Sequence, residues 1–141
     1  MGLLNEFFLA VDDEDARRAL PDGPSAGGFA EVVMSGGFTN LEVERIHEAV
    51  LGTQLAPEPM GVLTEDGDPE GPWVIRFPEA VTHALLEVGG DEHDAVAARW
   101  AGFSELQGSE PADLAGLLLD LVDLAAVGVS SGRAPYLWIC M

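Results

Sequence analysis

The chain reads as a single α+β domain over residues 1–141: a small sheet of about three or four strands against a long apolar C-terminal helix and several shorter helices. Three observations predict this. Short apolar runs at Phe29–Met34, Trp73–Phe77 and Tyr136–Met141 are bounded by Gly or Pro, as strands are. Between them lie stretches with helical spacing and recognisable start and stop signals. The stretch from Pro111 to about Val129 has almost no polar face beyond Asp113, Asp120 and Asp123, so it is expected to be covered on several sides.

In chain order, Leu3 to Ala10 is expected as a short helix, because Leu4, Phe7, Phe8 and Val11 fall at helical spacing. Asp12 then caps a helical turn from Asp13 to Leu20, and Pro21 to Gly28 is a loop. Phe29–Met34 is the first strand, closed by Gly36-Gly37. Thr39 and Glu42 form a T-x-x-E capping box, with Phe38 stapled to Val43 across it. The helix presents Val43, Ile46, His47 and Val50 on one face and stops at Gly52.

Thr53 to Pro72 is rich in Pro, Gly and acid, with a hint of a strand at Met60–Leu63. Its length marks it as mobile or functional. Trp73–Phe77 is the next strand, and Pro78 suits the first turn of a helix running to Val88. Asp91 is expected to cap a further helix, in which Val96, Trp100, Phe103 and Leu106 share a face. Pro111 opens the long helix. In the final strand Tyr136, Trp138 and Cys140 alternate with Leu137, Ile139 and Met141, so burying both faces within the chain is the favoured arrangement.

Composition narrows the function classes. At 141 residues the chain buries roughly 68% of its unfolded surface, and 48% hydrophobic content argues against disorder despite a net charge of -19. All six cations are scattered arginines, so there is no basic patch for a nucleic acid or an anionic membrane. The lack of lysine points to a GC-rich bacterial genome. Met1 to Glu6 has no basic signal-peptide start, and the Leu114–Val129 run is shorter than a membrane span. The chain is therefore expected in the cytoplasm. One cysteine, Cys140, excludes an intramolecular disulfide.

No catalytic, cofactor or metal motif stands out. His47, His83 and His93 lie on three different helices without zinc spacing, and the latter two look solvent-facing. Glu65 to Glu70 gathers carboxylates without matching a calcium-binding loop. His47 is the one candidate ligand-binding residue, because it puts an imidazole on an apolar face beside the long loop. Its plainer role is a core-edge ring bonded to a backbone carbonyl.

The segment Phe38 to Thr53, with His47 and Gly52, resembles the helix of YfbM-like proteins that ends in a Leu-His-x-x-Leu-Thr-Gly type motif. Phe77-Pro78-Glu79-Ala80-Val81 and the ending of long helix, Gly132-Arg133 and terminal strand are also similar. The resemblance implies a small bacterial α+β domain without an established activity. It brings no catalytic residue and no cofactor, only a recurring histidine at the His47 position.

The leading functional expectation is a cytoplasmic, acidic protein-binding or regulatory module for a basic protein partner, leaning away from an enzyme. The alternative is a small enzyme or ligand binder with its pocket near His47 and residues 53–72. A third is a homo-oligomer packed through the terminal strand or Phe7-Phe8.

Overall fold

The structure is a computed structural model that describes residues 4–36, 38–54, 62–64, 71–106 and 108–140. It is α+β. Strands β1 (Leu4–Ala10), β2 (Val32–Gly36), β3 (Val62–Thr64), β4 (Trp73–Arg76) and β5 (Ala134–Cys140) form one sheet, in the order β2-β1-β5-β4-β3. Every pairing is antiparallel. The sheet therefore has five strands, one more than the upper expectation: the Met60–Leu63 hint becomes β3, and the segment expected as the first helix supplies β1. The helices are α1 (Asp13–Ala16), continued by a 3-10 turn (Arg17–Ala19), α2 (Asn40–Leu51), α3 (Glu79–Leu86), α4 (His93–Ala101) and α5 (Pro111–Ser131).

The expected helix at Leu3–Ala10 is instead β1, the second strand of the sheet. Its neighbours are β2 on one side and β5 on the other, with Phe8 opposite both Val32 and Tyr136. Asn5, Phe7 and Leu9 turn to one face and Glu6, Phe8 and Ala10 to the other. Both faces are covered, so a run that is apolar on both sides suits a strand here. Val11, expected to help dock a helix, is 64% exposed.

Two cores sandwich the sheet. On the first face Phe7, Leu9, Ile75, Phe77, Leu137 and Ile139 meet the inner sides of α2 to α5. On the second, Phe8, Val74, Tyr136 and Trp138 are covered by Ala16, Ala19, Leu20 and the partly buried Phe29. The alternation expected for the last strand is thus used on both sides within the chain. Phe7, Phe8 and Tyr136 to Ile139 are buried within the chain, while Ala134 and Cys140 at the ends of that strand are half-buried.

Several local expectations shift. The strand expected at Phe29–Met34 begins at Val32, because Phe29 remains in the loop and packs its ring 4.9 Å from Phe8. Pro78 sits at the N-cap of α3 rather than in its first turn, and that helix ends at Leu86 instead of Val88. The N-cap of α4 is Glu92, not Asp91; the Glu92 carboxylate accepts from the Gly89 N–H at 3.0 Å. Asp12 does cap α1, and the Thr39–Glu42 box and left-handed Gly52 bound α2 as expected.

Helix α5 runs 21 residues, so the argument that it is too short to span a membrane fails; its hydropathy of 1.7 also fits a span. Its inner stripe, Leu114, Leu118, Leu121, Leu124, Ala125 and Gly128, nevertheless packs in the core. At Gly128 a Cβ would stand 2.8 Å from the Arg133 carbonyl oxygen and 2.9 Å from Leu9, so glycine permits the close approach to β1 and the chain reversal. The helix is covered on fewer sides than expected. Asp113, Asp120 and Asp123 face water, but so do Leu119 and Val129.

Tyr136 ties β5 to α1, its hydroxyl donating to Asp13 Oδ1 at 2.8 Å. Burial, then the bond to Asp13, push this phenol far above its usual range. The folded chain therefore keeps the proton when the unfolded chain has lost it. The stability Tyr136 contributes is full below about pH 10 and declines as pH rises beyond it. Tyr136→Phe should cost about 1 kcal/mol at neutral pH and flatten that alkaline decline. As the sole tyrosine, its phenolate absorbance checks the result directly; ionisation near pH 10 in the folded protein would refute it.

Candidate functional site

His47 lies half-buried on α2, with Nδ1–H donating to the Thr53 carbonyl at 2.9 Å. That is the plainer role considered for it, a ring that ties the end of its helix to the following turn. One helical turn earlier, burial holds the Glu44 carboxyl above its ordinary range, partly offset by the Arg45 charge. Residues three apart on a helix are neighbours, so Glu44 and His47 share an edge of α2. Sequence reasoning missed Glu44, although its spacing to His47 was visible. Most of the 53–72 loop expected beside His47, including Glu65 to Glu70, lies outside the described residues.

The other two histidines lie on two further helices. His83 is exposed on α3. His93, expected to face solvent, is half-buried at the start of α4, where its Nδ1 meets the Gly90 carbonyl at 3.2 Å. Its Nε2 is buried without a hydrogen-bond partner among the described residues. Cys140 is half-buried on β5. Among the described residues, no three His, Cys, Asp or Glu side chains gather where a metal ion could sit.

Two surface recesses stand out. A cleft of about 430 Å³ opens between α3, the end of α5 and the start of β5, lined by Arg76, Phe77, Thr82, His83, Val129 and Pro135 among others. Its arginines are committed elsewhere: Arg76 lies 3.7 Å from Asp13, and Arg133 donates to Glu31 at 2.9 Å. The second, about 300 Å³, is a groove between β2 and α5. Ala30, Glu31, Val32 and Val33 form one wall, and Asp120, Asp123, Leu124 and Val127 the other.

Electrostatics separate the two recesses. Arg133 holds Glu31 below the ordinary carboxyl range, so the charge of Glu31 is compensated. Asp15 is likewise held low, chiefly by the Val11 N–H and then by Arg18. Arg18 pairs with Asp15 and Arg45 with Glu48. Arg99 Nε donates to the Ala49 carbonyl at 2.7 Å. Five of the six arginines are thus engaged in internal contacts, while no ion pair among the described residues engages Asp120 or Asp123.

Comparison with protein-family models, with curated proteins and with solved structures finds no match.

Proposed function

We propose that the chain is a cytoplasmic protein-binding module whose partner carries a basic surface. The observation supporting this reading is the partition of charge. Against 25 acidic residues stand six arginines, and five of those are engaged with the chain's own carboxylates or carbonyls. The outside is left with a large negative excess, which speeds and orients encounter with a cationic partner. The likeness to YfbM-like proteins adds no activity to this reading.

Salt provides the test, because its two effects have opposite signs. Screening relieves self-repulsion in the isolated chain, so its unfolding midpoint should rise as salt is added. The same screening should weaken the complex. A partner captured from host lysate is purified, and its association rate is measured across salt concentrations. A stoichiometric complex whose association slows at least about tenfold between low and physiological salt supports the proposal. Finding no partner, or one indifferent to salt, overturns it.

A small-ligand pocket beside His47 is the second reading, favoured by the raised Glu44 carboxyl on the same helix edge. A fragment screen read by amide shifts would support it if hits converge on Glu44, His47 and Thr53. Hits elsewhere, or none, remove it.

A further inference from the structure

The groove beside β2 has a feature that charge alone does not supply: it runs along the open edge of the sheet. β2 pairs with β1 on one side, and among the described residues no strand pairs with the other. An edge strand presents backbone N–H and C=O groups that another extended chain can complete. Beside this edge lie Asp120 and Asp123, a turn apart on α5 and both exposed to water. On the opposite face of the same strand Met34 is 75% exposed.

Resting on the protein-binding reading, we infer that the outer edge of β2 takes an extended basic segment of the partner as an added strand. In this arrangement alternate cationic side chains face Asp120 and Asp123, and the intervening apolar ones lie beside Met34. The alternation follows from strand geometry, since neighbouring side chains point to opposite faces. β2 has its Val33 side toward α5 and its Met34 side away from it, and a strand laid alongside inherits the same two faces. Specificity then comes from period-two charge, and affinity from the backbone ladder.

The charge also argues against the other occupant an open edge invites, a second copy of this chain. Edge-to-edge pairing of two β2 strands would bring both copies' Asp120 and Asp123 toward one seam, on chains that each carry -19. Like charges across an interface disfavour that pairing, as charged residues do on protected sheet edges. A cationic strand turns the same two carboxylates into attractions.

The test uses a capped octapeptide of alternating Arg and Val as the probe. Amide shifts in the full chain should change along Val32–Gly36 and Asp120–Val127, and the β2 amides should gain protection from hydrogen exchange. The double variant Asp120→Asn, Asp123→Asn should weaken binding about tenfold while its unfolding midpoint does not fall. A peptide of equal charge, N-methylated at alternate residues in either register, should lose the β2 response, because a ladder cannot form. Equal binding by the N-methylated peptides, shifts spread over the acidic surface, or no binding would each overturn the inference. So would a dimer of the isolated chain that Asp120→Asn and Asp123→Asn strengthen and that occludes β2. If the purified partner still binds with salt sensitivity while these variants leave it unaffected, the docking site is wrong and the broader function stands.

Discussion

Trp100→Ala is expected to cost about 3–5 kcal/mol, a large share of the roughly 5–15 kcal/mol that holds a domain of this size together. Trp100 is only 1% exposed and joins the helical layer to the sheet through a series of rings. It lies 5.8 Å from Phe38, which meets Phe7 edge-on at 6.2 Å, and Phe7 meets Phe77 at 5.9 Å. Removing the indole opens a cavity where α4, the start of α2 and β1 converge, and dense packing leaves little room for collapse. Its Nε1–H also donates to the Glu42 carbonyl at 2.9 Å. That carbonyl belongs to a helix and keeps its own intrahelical bond, so the lost hydrogen bond is the smaller part. Trp100→Phe, which retains most of the volume, should therefore recover more than half the loss. Urea unfolding measures both variants, and an alanine cost below about 1 kcal/mol would show that this contact is not central.

Trp100 was legible in the sequence, and the contrast with β1 shows why. The faces of α2 and α4 were set by spacing within ten or so residues, and the Thr39–Glu42 box and Gly52 are local chemistry. β1 had no such anchor. Leu4, Phe7, Phe8 and Val11 satisfy a helical period, while the partners that make the segment a strand, Val32 to Gly36 and Ala134 to Cys140, lie far along the chain. Its phase could be read only once the sheet order was known. The strand β2 was found three residues early because Phe29 has the composition of a strand and the environment of a loop, its ring capped by Phe8 and the Arg18 guanidinium. The same dependence hid the groove. Asp120 and Asp123 read correctly as a solvated stripe, but only a sheet that ends at β2 sets them beside an open edge. Strand order is a long-range property, and no local pattern encodes it.

The first and last strands along the chain, β1 and β5, being neighbours in the sheet, something must still hold the exit of β2 against them, and Asn5 does this. It is 1% exposed, yet polar. Its Nδ2–H donates to the Phe38 carbonyl and its Oδ1 accepts from the Phe38 N–H, both at 2.7 Å. The side-chain amide thus takes the place of a strand partner for one residue of the chain entering α2. Asn5→Leu keeps the shape and removes both bonds, leaving the Phe38 N–H and C=O buried without partners. At about 1–3 kcal/mol for each group, the expected loss is about 2–6 kcal/mol. Asn5→Asp is the sharper probe. Its carboxylate can still accept from the Phe38 N–H, but only the protonated acid can donate to the Phe38 carbonyl, so folding favours the proton. The folded variant then binds more protons than the unfolded one above about pH 4, and its stability falls as pH rises through that window. Unfolding of Asn5→Asp should accordingly approach the parent in acid and diverge from it toward neutrality. A penalty that does not change with pH would mean the Phe38 carbonyl finds another donor, and that Asn5 is not what fixes the start of α2.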